Sequence, residues 1–161
     1  MKRAVTTISL SFLLFGCATS YRPYSYFAGG GWKDVQLAES TFKVTFEANG
    51  YTSKTTATDM ALLRSADLAL ANGFKYFVIG AVSDDSRTGA YTSPTTTTFN
   101  ATTQGNTTRG SVQTYGGQTY IFNFPSPTMT ISCFTEKPSF QTTIYDAALI
   151  SKSMRAQYGI R

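Results

Sequence analysis

Phe42-Lys43-Val44-Thr45-Phe46-Glu47-Ala48-Asn49-Gly50, then Leu62-Leu63-Arg64-Ser65-Ala66-Asp67-Leu68-Ala69, then Asn72-Gly73-Phe74-Lys75-Tyr76-Phe77-Val78-Ile79-Gly80, is the stretch whose reading decides the fold. Phe42, Val44 and Phe46 alternate with Lys43, Thr45 and Glu47, the period of two expected of a strand with one buried face and one wet face. Asn49-Gly50 marks a turn. Thr56-Ala57-Thr58-Asp59 fits a capping box, and Met60, Leu63, Ala66 and Leu70, with Leu62 and Ala69, form an apolar stripe at helical spacing. A helix is therefore predicted from about Asp59, stopped at Asn72-Gly73. Residues 74–79 are apolar on both sides apart from Lys75, as suits a central strand. Two strands joined through a helix are parallel, with a right-handed crossover, if they are neighbours in one sheet. Arg64 and Asp67, three residues apart, can pair on the helix surface.

Outward toward the C-terminus, residues 83–89 read as a solvated turn; the adjacent Asp84 and Asp85 lack the spaced oxygen ligands of a calcium loop. The Thr-rich tract at about 88–118 includes Thr95-Thr96-Thr97-Thr98. Threonine favours strands, but without apolar alternation the register is weakly specified. The tract is either a long exposed hairpin or a loop, and surface segments of this kind often meet partners. Tyr120, Phe122 and Phe124 share a face, and Pro125-Ser126-Pro127 is expected to turn that strand into a hairpin with residues 128–134. Asp146 to Tyr158 has helical spacing, with Gly159 as a stop. The class expected is α+β: a mixed sheet of about four to six strands with two main helices packed on it.

Outward toward the N-terminus, Met1-Lys2-Arg3 is basic and residues 4–15 are apolar, too short a run to cross about 30 Å of hydrocarbon. Leu14-Phe15-Gly16-Cys17 resembles the bacterial lipobox, with Phe15 where a small or aliphatic residue is usual. The resemblance implies a signal over residues 1–16, cleaved at the Leu14-Phe15-Gly16 motif, and lipid attached to Cys17. Lipoproteins of the type it resembles carry three acyl chains, and at about 0.8 kcal/mol per buried CH₂ even two would hold firmly. Ala18 rather than Asp after the cysteine implies, by resemblance to the sorting rules of enteric-type envelopes, the outer membrane; the periplasmic face is the side expected, though the residues themselves leave periplasmic and outer exposure both open. Pro23 and Gly29-Gly30-Gly31 argue for a linker over residues 17–40 and a domain over 41–161. Drawn out, the segment between Cys17 and Phe42 would reach about 80 Å. Its rings, Tyr21, Tyr24, Tyr26, Phe27 and Trp32, either fold back over an edge of the domain or form a membrane-interface belt or ligand platform. Tyr24, Tyr26 and Trp32 are the candidate contact residues.

Composition narrows the function. The chain of 161 residues has 14 basic and 9 acidic residues, and loss of Lys2 and Arg3 with the signal leaves a weak, scattered positive balance. A nucleic-acid partner calls for clustered Lys and Arg, so none is expected. There is no histidine, which removes Ser-His-Asp and Cys-His pairs and imidazole metal sites. If Cys17 is acylated, Cys133 has no partner in the chain; Met129, Ile131 and Cys133 alternate onto one face, which makes Cys133 a packed thiol.

The ordered set of a lipobox, a Tyr/Pro tether ending in Gly-Gly, the run Phe42 to Gly50, Leu62-Leu63-Arg64-Ser65-Ala66-Asp67-Leu68-Ala69 and Asn72-Gly73-Phe74 resembles small proteobacterial outer-membrane lipoproteins of unknown function. The resemblance implies an envelope location and carries over no catalytic residue. No enzyme activity, cofactor or metal is expected. The leading expectation is an accessory that contacts another envelope component, held to the membrane by its N-terminal lipid. The alternative is a periplasmic module binding a small ligand or glycan on the aromatic N-terminal segment.

Overall fold

The computed structural model describes residues 18–161; the signal, Leu14, Phe15, Gly16 and Cys17 lie outside the described residues. In chain order the elements are β1 Gly31–Ala38, β2 Thr41–Glu47, α1 Lys54–Ala71, β3 Tyr76–Asp84, β4 Arg87–Thr92, β5 Thr96–Gln104, β6 Thr107–Tyr115, β7 Thr119–Phe124, β8 Pro127–Phe134, β9 Tyr145–Asp146 and α2 Ala147–Tyr158. The class is α+β, as the patterns imply. A five-stranded sheet in the order β1-β2-β8-β3-β9 carries the helices, and every ladder in it is antiparallel.

The core follows from alternation. Phe42, Val44 and Phe46 of β2 stand opposite Ile131 and Met129 of β8 or beside them, and Phe77 of β3 stands opposite Cys133. All are buried, and α1 covers them with Ala57, Met60, Ala61, Leu63, Ala66 and Ala69. Phe77 also stacks on Tyr145 of β9, with ring centroids 5.2 Å apart. Burial pushes the Cys133 thiol up to about 11, so it stays protonated in the apolar layer.

Four expectations change. The segments on either side of α1 are parallel to each other but not neighbours: β8 lies between them, antiparallel to both. Helix α1 starts at Lys54, not near Asp59, because Ser53 is the cap and its Oγ accepts from the Thr56 amide. Asn72 and Gly73 end it as anticipated. Arg64 and Asp67 do not pair with each other; Arg64 binds Asp34 of β1, and Asp67 binds Arg155 of α2. Strands β7 and β8 make no hairpin, because on either side of the Pro125-Ser126 step they pair with different partners, β4 and β3.

That last difference defines the molecule's second region. β3 continues into β4 and β5, and β6 continues through β7 into β8, so residues 76–134 form one long interrupted antiparallel hairpin. Asp85 donates its amide to Ser126, and Ser93 pairs with Gln118 and Gly117, which bridges the interruptions. The tip is the two-residue loop Gly105-Asn106, with a positive φ at Gly105 alone, the arrangement of a type II′ turn. Beyond Asp84 the hairpin leaves the sheet as a two-stranded ribbon.

Candidate functional site

The N-terminal segment is tied to the body. Thr19 is buried: its amide donates to Thr52 Oγ1 at 2.9 Å, its hydroxyl donates to the Gly29 carbonyl, and it accepts from the Asn49 amide. Tyr21 donates to Asp67 Oδ2 at 2.6 Å, where Arg155 Nη2 also binds, while Ser151 donates to Oδ1. Burial first, and then the bond to Asp67, push the Tyr21 phenol far above its ordinary range. The chain reverses between Ser25 and Gly30 and enters β1, so the stretch expected as a linker to residue 40 includes an edge strand of the sheet. Gly30 is needed for this close approach, since a Cβ there would lie 2.2 Å from the Glu47 carbonyl oxygen.

The candidate aromatic residues are put to separate uses. The Trp32 ring lies 3.5 Å beneath the Arg64 guanidinium, which Asp34 holds through Nε and Nη2. Lys33 Nζ sits 3.7 Å over Tyr24 and also pairs with Glu47. Each of these cation–π contacts covers one face of its ring. Tyr26 and its neighbour Phe27 instead stand out in solvent at the reversal, edge to face, with centroids 5.9 Å apart. Trp32 is thus engaged apart from the other two, whereas Tyr24 and Tyr26 line one open cleft of about 190 Å³ together with Gly29, Gly30, Arg87 and Phe124. Phe27 was among the rings read from the sequence as an interface belt or ligand platform, whereas Thr19 and Tyr51 are functional candidates that the sequence reading did not single out.

The ribbon is the other candidate surface. Thr96 to Gln104 pairs with Thr107 to Tyr115 without a break. All nine residues of β5 and all nine of β6 are exposed. Register comes from cross-strand pairs: Thr92 with Thr119 at 3.0 Å, Thr97 with Thr114 at 3.3 Å and Thr103 with Thr108 at 2.9 Å, oxygen to oxygen. Phe99 lies opposite Val112 and covers Gly110, where a Cβ would meet the ring at 2.8 Å. At the root, Phe124 similarly covers Gly89. Thr97, Phe99, Ala101 and Thr103 share one face with Thr114, Val112, Gly110 and Thr108; that face has no charge. The opposite face carries Asn100, Gln104, Arg109 and Gln113, and β5 itself carries no charge and no proline. Each ribbon strand has a partner on one side only, so its other edge offers unpaired amides and carbonyls.

Two open clefts of about 570 and 580 Å³ flank the ribbon root. In the first, Lys54 pairs with Asp84, and that bond, then Ser86, hold the Asp84 carboxyl down at about 2. In the second, Lys33, Lys43 and Arg87 are interspersed with Glu47 and Asp85. Among the described residues the shifted groups are Asp84, held down, and Tyr21, Cys133 and Tyr158, pushed up; each moves away from neutral pH, where a general acid or base works best. Among the described residues no group of His, Cys, Asp and Glu is placed to hold a metal ion. No helix of the described residues is long and apolar enough to cross a membrane, which says nothing of strands. Compared with protein-family models, curated proteins and solved structures, the chain finds no match.

Proposed function

We propose that this chain is a non-catalytic lipoprotein of the cell envelope, anchored through Cys17 to the periplasmic face of the outer membrane, and that its ribbon contacts another envelope protein. The observation that carries this reading is the ribbon: two long strands in unbroken register, with every side chain of β5 and β6 in solvent and both outer edges open. An isolated two-stranded ribbon in water is marginal. Strand addition to a ribbon edge, with Phe99 and Val112 beside the added strand, is the recognition mode its chemistry suits. The distribution of shifted groups and the scattered charge support binding over chemistry or nucleic-acid contact.

The test is crosslinking in intact cells with the acylated chain as bait, beside a variant in which residues 93–118 are replaced by a two-residue turn. One discrete envelope protein should be captured in stoichiometric amount by the full chain and lost with the shortened one. Equal capture by both would remove the ribbon from the contact.

A further inference from the structure

We infer that the anchored domain sits directly on the bilayer, with the aromatic turn Tyr26-Phe27 and the nearby Tyr51 inserted at the lipid interface. This rests on the proposed acylation of Cys17 and adds where the body then lies. Thr19 is fixed in the body by three hydrogen bonds, to Thr52, Gly29 and Asn49. Only Ala18 lies between Thr19 and Cys17, and two residue steps reach about 7 Å at most. The anchor point therefore lies within one side-chain length of the folded surface, not at the end of an 80 Å tether.

The surface at that point is aromatic. Phe27 is 99% exposed, Tyr26 81% and Tyr51 73%. Thr19 joins them: its hydroxyl binds the Gly29 carbonyl, two residues past Phe27, and its amide binds the hydroxyl of Thr52, next to Tyr51. Arg22 Nη2 donates to the Ala28 carbonyl across the same turn, which keeps a cation at headgroup level beside the rings. Tyr side chains, with apolar bodies and polar rims, partition to the membrane–water interface, a wholly apolar Phe beside them inserts its ring, and a cation there meets lipid phosphate. A fully exposed Phe at the tip of a hydrogen-bonded turn buries nothing within the chain, and the lipid surface is the occupant that the position of residue 17 brings to it.

The experiment uses the full chain purified with its lipid and reconstituted in vesicles of phosphatidylethanolamine and phosphatidylglycerol. Phe27→Trp places an indole at the turn; Leu149→Trp places one on α2, beside β9 at the opposite end of the sheet. Emission is measured with and without lipids brominated on the acyl chain, after subtracting the Trp32 signal of the unsubstituted chain. Intact mass reports the state of Cys17 in the same preparations. The expected result is an acylated chain whose position-27 emission falls at least twofold with brominated lipid while the position-149 emission is unchanged. An acylated chain with neither indole quenched overturns the seating and leaves the anchor standing. Equal quenching at both positions overturns the stated orientation. An unmodified Cys17 overturns the anchor and the seating with it.

Discussion

The sheet body and the ribbon are made of the same backbone ladder and are stabilised in different ways. In the body, β2 and β8 present alternate apolar side chains to α1 and β3 adds Phe77, and Phe46, Phe77, Ile131 and Val44 are fully buried. In the ribbon, the alternation is between Thr-rich faces that both meet water. Burying a Phe or Ile side chain contributes about 1.5–3 kcal/mol, whereas a cross-strand Thr pair contributes a few tenths to about 1 kcal/mol. The difference teaches that residues 96–115 answer to something other than the chain's own core.

Substitutions can break that contrast. The largest effect is expected from Phe77→Ala, which removes a fully buried ring from between Cys133 and Tyr145 and should cost about 3–5 kcal/mol in chemical denaturation. A loss under about 1 kcal/mol would mean that the sheet does not depend on this layer. Asp67→Ala comes next, since Tyr21, Ser151 and Arg155 all bind that carboxylate; with Arg155 a third exposed and able to rehydrate, about 1–3 kcal/mol is expected. The same variant should lower the phenol pKa of Tyr21, read by ultraviolet titration, because both the hydrogen bond to Asp67 and its negative charge, which raise it, are gone.

Phe99→Ser in the ribbon should change stability by no more than about 0.5 kcal/mol while weakening partner capture. A loss as large as that of a core ring would show that the ribbon docks on its own body. The smallest effect is the pH dependence from Asp84. Its folded carboxyl titrates at about 2, below the ordinary value, so its contribution is present above about pH 4 and is lost as pH falls through 2. Because the pair with Lys54 is surface-exposed, the change should be a few tenths of a kcal/mol, and Lys54→Ala should flatten it.

Much of the body was legible because its signals are local. The alternation of Phe42, Val44 and Phe46, the stripe from Met60 to Ala69 and the Asn72-Gly73 stop all correspond to elements of the structure. What escaped depends on distant partners. β1 places Trp32, Asp34 and Gln36 on the side of Phe46, Val44 and Phe42, and Lys33, Val35 and Leu37 on the other, so its apolar pattern is partly inverted. Asp34 is tolerated there only because Arg64 arrives from α1 to pair with it, 30 residues later. The Gly29-Gly30-Gly31 run signals close backbone approach as readily as it signals a linker, and only the position of Glu47 distinguishes the two. The Pro125-Ser126-Pro127 step resembles a hairpin turn until β4 and β3 are seen to take its two sides separately. Of the candidate contacts, the Thr tract was identified as a surface, while its register rests on Thr–Thr and Phe–Gly pairs that no single strand displays.

The continuity of β3 with the ribbon and of the ribbon with β8 bears on how the chain folds. β8 is the centre of the sheet, yet it is among the last strands in sequence, and joining it to β3 closes a span that begins at Asp85 and ends at Ser126. Closing that span as loose chain would cost about 3 kcal/mol in loop entropy. Zipping from the Gly105-Asn106 turn replaces that single closure with a series of short ones, each adding a pair next to one already made. The ribbon, which stabilises the finished sheet so little, is then what carries the central strand to its place.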